Sequence, residues 1–196
     1  MSLDIVITGV GGQGNVLASR ILARAAMAAG LAVRTSEAIG MAQREGVVTS
    51  QVRMGDPLWG ALIPSGGADV LLGFELAETV RGLPRLKPGG VVVASAAVIV
   101  PVTAALGLAA YQEEDLRNYL RRNVENLHLV DAGALAEEAG HPRAVNTVML
   151  GALAGLSIMP FDAEHLLRTV LDIVPAKYRG INSRAFELGR RAVGGY

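Results

Sequence analysis

The sequence predicts a three-layer α/β fold on a mostly parallel sheet, and three observations carry that expectation. First, a β-branched run, Ile5-Val6-Ile7-Thr8, breaks into glycines at positions 9, 11, 12 and 14, and a helical pattern starts at Asn15. That succession is a strand, a tight turn and a helix start. Second, apolar runs of strand length alternate with amphipathic runs of helix length, the rhythm of strand-helix-strand units. Third, 51% of the 196 residues are apolar and only 4% aromatic, a composition that buries a large core and does not stay disordered. The chain reads as a single domain over residues 1–196.

The elements follow in order. Residues 14–29 carry apolar side chains at Val16, Leu17, Ile21, Leu22, Ala25 and Met27, with Arg20 and Arg24 on another face, and Gly30 ends this amphipathic helix. A second strand is expected at 31–36. An irregular polar stretch, Ser36 to Gly46, comes next, the kind of surface connection that often carries function. Val48, Ser50, Val52 and Met54 alternate with Thr49, Gln51 and Arg53 as in a half-exposed strand, and Leu58 to Ile63 is expected to return beside it, giving an added hairpin over 47–63.

From Ala68 the strand-helix rhythm resumes. Asp69 to Phe74 is an apolar strand, Glu75 to Leu83 a helix whose acids Glu75 and Glu78 lie in its first turn, and Gln112 to Asn123 a charged helix. Residues 89–111 contain no charge and match a membrane span in length. However, Gly89-Gly90 lead into a β-branched run and Pro101 would break a helix, so two buried strands joined by a turn are expected instead. Asn126 to Val130 reads as a strand, with Asp131 capping a helix through Ala139. The last third is helical: a charge-free helix over 144–159, one capped by Asp162, and a final one capped by Asn182.

Composition excludes several functions. Eighteen basic and eighteen acidic residues cancel, which speaks against nucleic acid or a membrane surface as a partner. The absence of cysteine removes disulfides, thiolate nucleophiles and any Fe–S cluster held by this chain's own cysteines. The N-terminus lacks the pattern of a signal peptide, so a cytoplasmic location is expected. His128, His141 and His165 share no ligand spacing, and no Ser/His/Asp set has the context of a nucleophile.

Chemistry therefore centres on the spacing Gly9-x-Gly11-x-x-Gly14. The first glycine makes the turn, the second admits a phosphate to the backbone, the third lets helix and strand pack, and helix N-terminal amides face the anion. Gly9, Gly11, Gly12, Gln13 and Gly14 are the candidate binding residues. A dinucleotide site also needs an acid at the end of the second strand, and none ends it here: Glu37 is displaced into the loop, and Arg34 could meet a 2′-phosphate or a solvent-side carboxylate. Asn146, near the start of an apolar helix, needs partners for its amide and is expected to pack against a neighbouring loop.

The combination of Gly9-Val-Gly-Gly-Gln-Gly14 with Ser36-Glu37-x-x-Gly40-Met41-Ala42-Gln43-Arg44 is more specific than either part. It resembles the small (beta) subunit of indolepyruvate:ferredoxin oxidoreductase and, more widely, the gamma domain of the 2-oxoacid:ferredoxin oxidoreductases. The likeness extends through Leu62-Ile63-Pro64, Val91-Val92-Val93, Asn146 with Leu150-Gly151-Ala152, and Asn182-x-x-Ala185-Phe186-x-x-Gly189; it departs at Glu45-Gly46 and Ile39. The resemblance implies a Rossmann-like, non-catalytic subunit associated with coenzyme A, while a large catalytic subunit holds thiamine diphosphate and the Fe–S clusters that pass electrons to ferredoxin. On it, the glycine loop contacts an anionic part of the coenzyme, and the 37–46 segment with Glu37, Met41, Gln43 and Arg44, together with the 47–63 hairpin, faces the large subunit. Two other readings stay open from the residues: a free-standing NAD(P)-dependent dehydrogenase, and a structural interaction domain with an empty loop.

Overall fold

The computed structural model describes residues 2–40, 46–100, 102–108 and 110–194. In chain order they form β1 (Leu3–Val10), α1 (Asn15–Ala28), β2 (Val33–Ile39), β3 (Val47–Met54), β4 (Ala68–Gly73), α2 (Leu76–Gly82), β5 (Leu86–Ser95), α3 (Val102–Ala105), α4 (Glu113–Asn123), β6 (Asn126–Val130), α5 (Ala132–Ala139), α6 (Val145–Gly155), α7 (Ala163–Ile173) and α8 (Arg179–Val193). The strands make one sheet in the order β2-β3-β1-β4-β5-β6. β1, β4, β5 and β6 are parallel neighbours, whereas β3 is antiparallel to both β1 and β2.

Alternation of apolar side chains along the strands builds both faces. Ile5, Ile7, Val70, Leu72 and Val93 point to a layer formed by α1, α5, α6, α7 and α8. Val6, Leu71, Val92 and Ala94 point the other way, onto Leu76 of α2 and Leu120 of α4. Within the first layer α6 and α8 cross in backbone contact. A Cβ on Gly151 would overlap the Phe186 carbonyl, and one on Gly189 would overlap the Val148 carbonyl. Asp131 and Asp162 cap their helices as expected, accepting from Ala134 N at 3.1 Å and His165 N at 2.7 Å.

Several sequence expectations need correcting. The antiparallel hairpin is β2–β3, paired from Val33↔Met54 to Ile39↔Val48, and not the 47–63 pair. Residues 58–63 form no strand because side chains of β3 take their backbone groups first. Arg53 donates to the Gly60 and Leu62 carbonyls, and Ile63 N donates to Gln51 Oε1 at 2.6 Å. Among the described residues of 89–111 there is one strand, not two: β5 ends at Ser95, and beyond it Ile99 N donates to a carboxylate, Glu75, not to a strand. The second strand begins and ends later than expected, which places Glu37 inside it.

Helix limits also shift. α6 stops at Gly155, and Ser157 follows with φ 53°. α8 begins at Arg179, so Asn182 lies in its first turn and donates to Tyr178 O without capping. On α1 the buried face holds Asn15 and Ser19, while Leu17 and Met27 are exposed. No helix among the described residues is long and apolar enough to cross a membrane.

Candidate anion-binding site at the sheet crevice

Helix α1 leaves β1 on one face of the sheet and α2 leaves β4 on the other. The C-terminal ends of these adjacent parallel strands therefore flank a crevice, the place where open α/β sheets take ligands. The glycine loop fills the β1 side. At Gly9 a side chain would press on Asn15, Gln13 and Phe74, each within 2.9 Å of a Cβ. Gly12 and Gly14 have φ of +92° and +88°, a conformation that L side chains avoid.

The loop's polar groups divide into those the chain uses and those it leaves open. Gly11 N donates to Gly46 O at 2.9 Å, and Gln13 N to Val10 O at 3.3 Å. The Gln13 amide bridges the two strand ends, accepting from Val10 N at 2.9 Å and donating to Phe74 O at 3.1 Å. It braces the crevice. By contrast, the amides of Gly12, Gly14 and the first turn of α1 have no acceptor among the described residues. α1 has Gly14 as N-cap with no side-chain cap and no acid in its first turn, so its positive end is uncompensated.

Asn146, only 8% exposed, stands beside this group. Its Oδ1 accepts from Thr147 N at 2.9 Å, which turns Nδ2 toward Gly14, 3.2 Å from where a Cβ would be. Nδ2 has no acceptor among the described residues, so a further donor joins the open amides. This partly agrees with the packing role expected for Asn146, and the signal was an amide in an otherwise charge-free helix. A cavity of about 180 Å³ adjoins it, lined by Leu17, Arg143, Asn146, Tyr178 and Asn182 among others.

The β4 side of the crevice is built differently. Glu75 is 2% exposed and caps α2, with Oε2 accepting from Glu78 N at 2.8 Å. Its Oε1 accepts from Tyr111 OH at 3.1 Å and Ile99 N at 3.3 Å. Burial, then the Glu75 charge and hydrogen bond, push the Tyr111 phenol up to about 12. Glu75 thus ties Ile99 and Tyr111 to the end of β4, a role that a first-turn helix acid does not announce.

Glu37 is not a ribose ligand in this geometry. β3 lies between β2 and β1, so β2 is displaced from β1 by two strand spacings, roughly 10 Å. The carboxylate accepts instead from Ser19 Oγ of α1 at 3.2 Å. Arg34 points to the opposite face. Met41, Gln43 and Arg44 lie outside the described residues; the end of their segment, Gly46, rests against the glycine loop through its bond to Gly11.

Comparison with known proteins gives a consistent picture. The family profile for pyruvate ferredoxin/flavodoxin oxidoreductase matches residues 4–192. Subunit IorB of the indolepyruvate oxidoreductase of Pyrococcus horikoshii is 42% identical over 191 residues, covering 96% of this chain and 95% of that protein. Among solved structures, the gamma subunit of a keto/oxoacid ferredoxin oxidoreductase from Geobacter sulfurreducens superposes with TM-score 0.70 at 24% identity, covering 97% and 98% of the two chains. The fold also recurs in the 2-oxoglutarate:ferredoxin oxidoreductase of Magnetococcus marinus, solved with 2-oxoglutarate, coenzyme A and succinyl-CoA. There the TM-score is 0.71 at 22% identity, covering all of this chain and 31% of the longer one.

Proposed function

Because the chain belongs to the pyruvate ferredoxin/flavodoxin oxidoreductase family, we propose that it is the non-catalytic small subunit of a thiamine-diphosphate-dependent 2-oxoacid:ferredoxin oxidoreductase of the indolepyruvate type. In this reading a large subunit carries thiamine diphosphate and the Fe–S clusters and passes electrons to ferredoxin. This chain, as one cytoplasmic domain over residues 1–196, holds part of coenzyme A. The indolepyruvate substrate is supported by relatives at 40% identity or above that match over nearly their whole length. The lack of any cysteine supports placing the clusters on the partner.

The observation that carries the coenzyme role is the set of donors left open at the crevice: the amides of Gly12 and Gly14, the first turn of α1, and Asn146 Nδ2. They suit a phosphate or pyrophosphate, while Gly9 and Gln13 shape the turn and Gly11 anchors it to Gly46. The adjoining cavity with Arg143 supplies a further cationic wall. When bound, coenzyme A supplies the thiol that accepts the acyl group; the residues here orient its anionic part and do no bond chemistry. The segment with Glu37, Met41, Gln43 and Arg44 then faces the large subunit.

The test is 2-oxoacid-dependent reduction of a viologen dye by the co-purified complex, the large subunit and this chain, each with and without coenzyme A. Turnover of aryl pyruvates by the complex and none by this chain is expected; activity from this chain alone ends the proposal. Thermal-shift titration separates the dehydrogenase reading, which requires stabilisation by NAD(P) and not by coenzyme A. The interposed strand β3, which removes Glu37 from a ribose position, argues against that reading.

A further inference from the structure

Trp59, the only tryptophan in the chain, is 90% exposed, and Leu62 beside it is 68% exposed. Neither belongs to the crevice. The backbone that follows Trp59 and carries Leu62 is nevertheless held in place. Arg53 on β3 makes a bidentate pair with Asp4 on β1, at 2.9 and 2.8 Å. Its remaining nitrogen donates to the carbonyls of Gly60 and Leu62, and Gln51 accepts from Ile63 N. A side-chain clamp on the sheet therefore fixes the backbone of residues 60–63 and presents Trp59 and Leu62 to solvent. Ordering an exposed tryptophan gives an isolated chain nothing, whereas a pre-ordered aromatic anchor lowers the cost of association.

The same face of the hairpin continues the patch. α2 and α4 cover β1, β4 and the strands beyond, but on β2 this face is exposed at Arg34 and Ala38, and Val47 on β3 is 43% exposed. β2 is also an edge strand with no neighbour on its outer side among the described residues. At its upper end the patch reaches Gly46, which bonds to Gly11 of the glycine loop.

Charge selects the occupant. Asp4, Arg53 and Arg34 stand in one row across β1, β3 and β2. Asp4 is taken by Arg53, Asp69 by Lys87, and Asp56 in the turn has a partner of its own. Arg34 makes only a 3.4 Å contact with the neighbouring Val33 carbonyl, and no acid meets it among the described residues. Arg34 is thus the charge left open beside the apolar centre. A second copy whose two-fold axis passed through this row would bring Arg34 against Arg34, so a self-complementary dimer centred on it is disfavoured.

We propose that the Trp59–Leu62 turn and the bare face of the β2–β3 hairpin are the anchor by which this chain docks on its large catalytic subunit, which presents an apolar pocket edged with carboxylates. The proposal rests on the subunit reading above and gives it a location.

Because Trp59 is unique, 5-fluorotryptophan incorporated into this chain alone reports on it by ¹⁹F NMR. The free chain should show a solvent-accessible resonance that shifts and becomes protected when the unlabelled large subunit is added. Trp59→Ala should weaken assembly by about tenfold or more, as an interface anchor does, while leaving the melting temperature of the chain unchanged. Arg34→Glu should weaken it less, and less still at high salt. An assembled complex in which the labelled Trp59 stays accessible, or in which Trp59→Ala assembles like the parent, overturns the docking proposal alone. A resonance that shifts with the concentration of this chain by itself makes a second copy the occupant and also overturns it. If the two subunits do not assemble at all, the subunit reading fails, and the docking site with it.

Discussion

Two strand ends face each other across the crevice, and each leads through a turn into a helix, yet they treat the same electrostatic problem in opposite ways. At the end of β4 the positive pole of α2 is filled from within by the Glu75 carboxylate, buried and bonded to Glu78 N, Ile99 N and Tyr111 OH. At the end of β1 the pole of α1 has a glycine for a cap and no acid in its first turn. A helix N-terminus attracts an anion in either case. The difference is whether the anion is part of the sequence or is brought by something else, and in the proposed coenzyme role the uncompensated pole is the ligand side.

Removing the internal anion should have the largest effect. Glu75→Ala strands three donors at a site that is 2% exposed and should cost about 3 kcal/mol, read as a fall in the urea midpoint at constant m-value. On the other side, Gly14→Ala forces a side chain into positive φ against Asn146. It should cost about 1–2 kcal/mol and also weaken coenzyme A binding in calorimetry.

Gly12→Asp sharpens the contrast further, since it makes the β1 end resemble the β4 end. No atom lies within 4 Å of the added Cβ, so only the strain of a side chain at φ +92° counts against stability, about 1–2 kcal/mol, while anion affinity should fall more than about tenfold through like-charge repulsion. Unchanged coenzyme A binding in this variant would leave the loop a structural turn. The smallest effect belongs to Tyr111→Phe, at about 1 kcal/mol or less. Its signature is a pH dependence. The folded-state phenol is raised to about 12 from its ordinary 10, so its contribution is complete below pH 10 and lost as pH rises toward 12. Denaturation at pH 9 and pH 11 should differ more for the parent than for Tyr111→Phe.

The legible parts of this molecule are those fixed by nearest neighbours. Strand β1, its glycine turn, and the caps at Asp131 and Asp162 depend on residues within a few positions, and period-2 alternation revealed β3. Alternation says that a strand exists but not beside which strand it lies, so the insertion of β3 between β2 and β1 stayed hidden, and with it the reason Glu37 misses a ribose. The Leu58–Ile63 stretch misled because its backbone is captured by Arg53 and Gln51 on β3. Glu75 looked like an ordinary helix-end acid because its partners Ile99 and Tyr111 lie 24 and 36 residues away. At the binding side the glycines were visible, but which amides remain open was not, since that depends on Gly46 and Phe74.

The crossing of α6 and α8 has a mechanical meaning for this site. Where Gly151 and Gly189 let main chain touch main chain, no compliant layer of side chains separates the helices, and Thr147 Oγ1 bonded to Asn182 Oδ1 at 2.6 Å pins the pair again at its other end. The two helices make a stiff beam with Asn146 at its tip. A load placed on the C-terminal helix therefore bears on Asn146, which stands against Gly14 of the glycine loop.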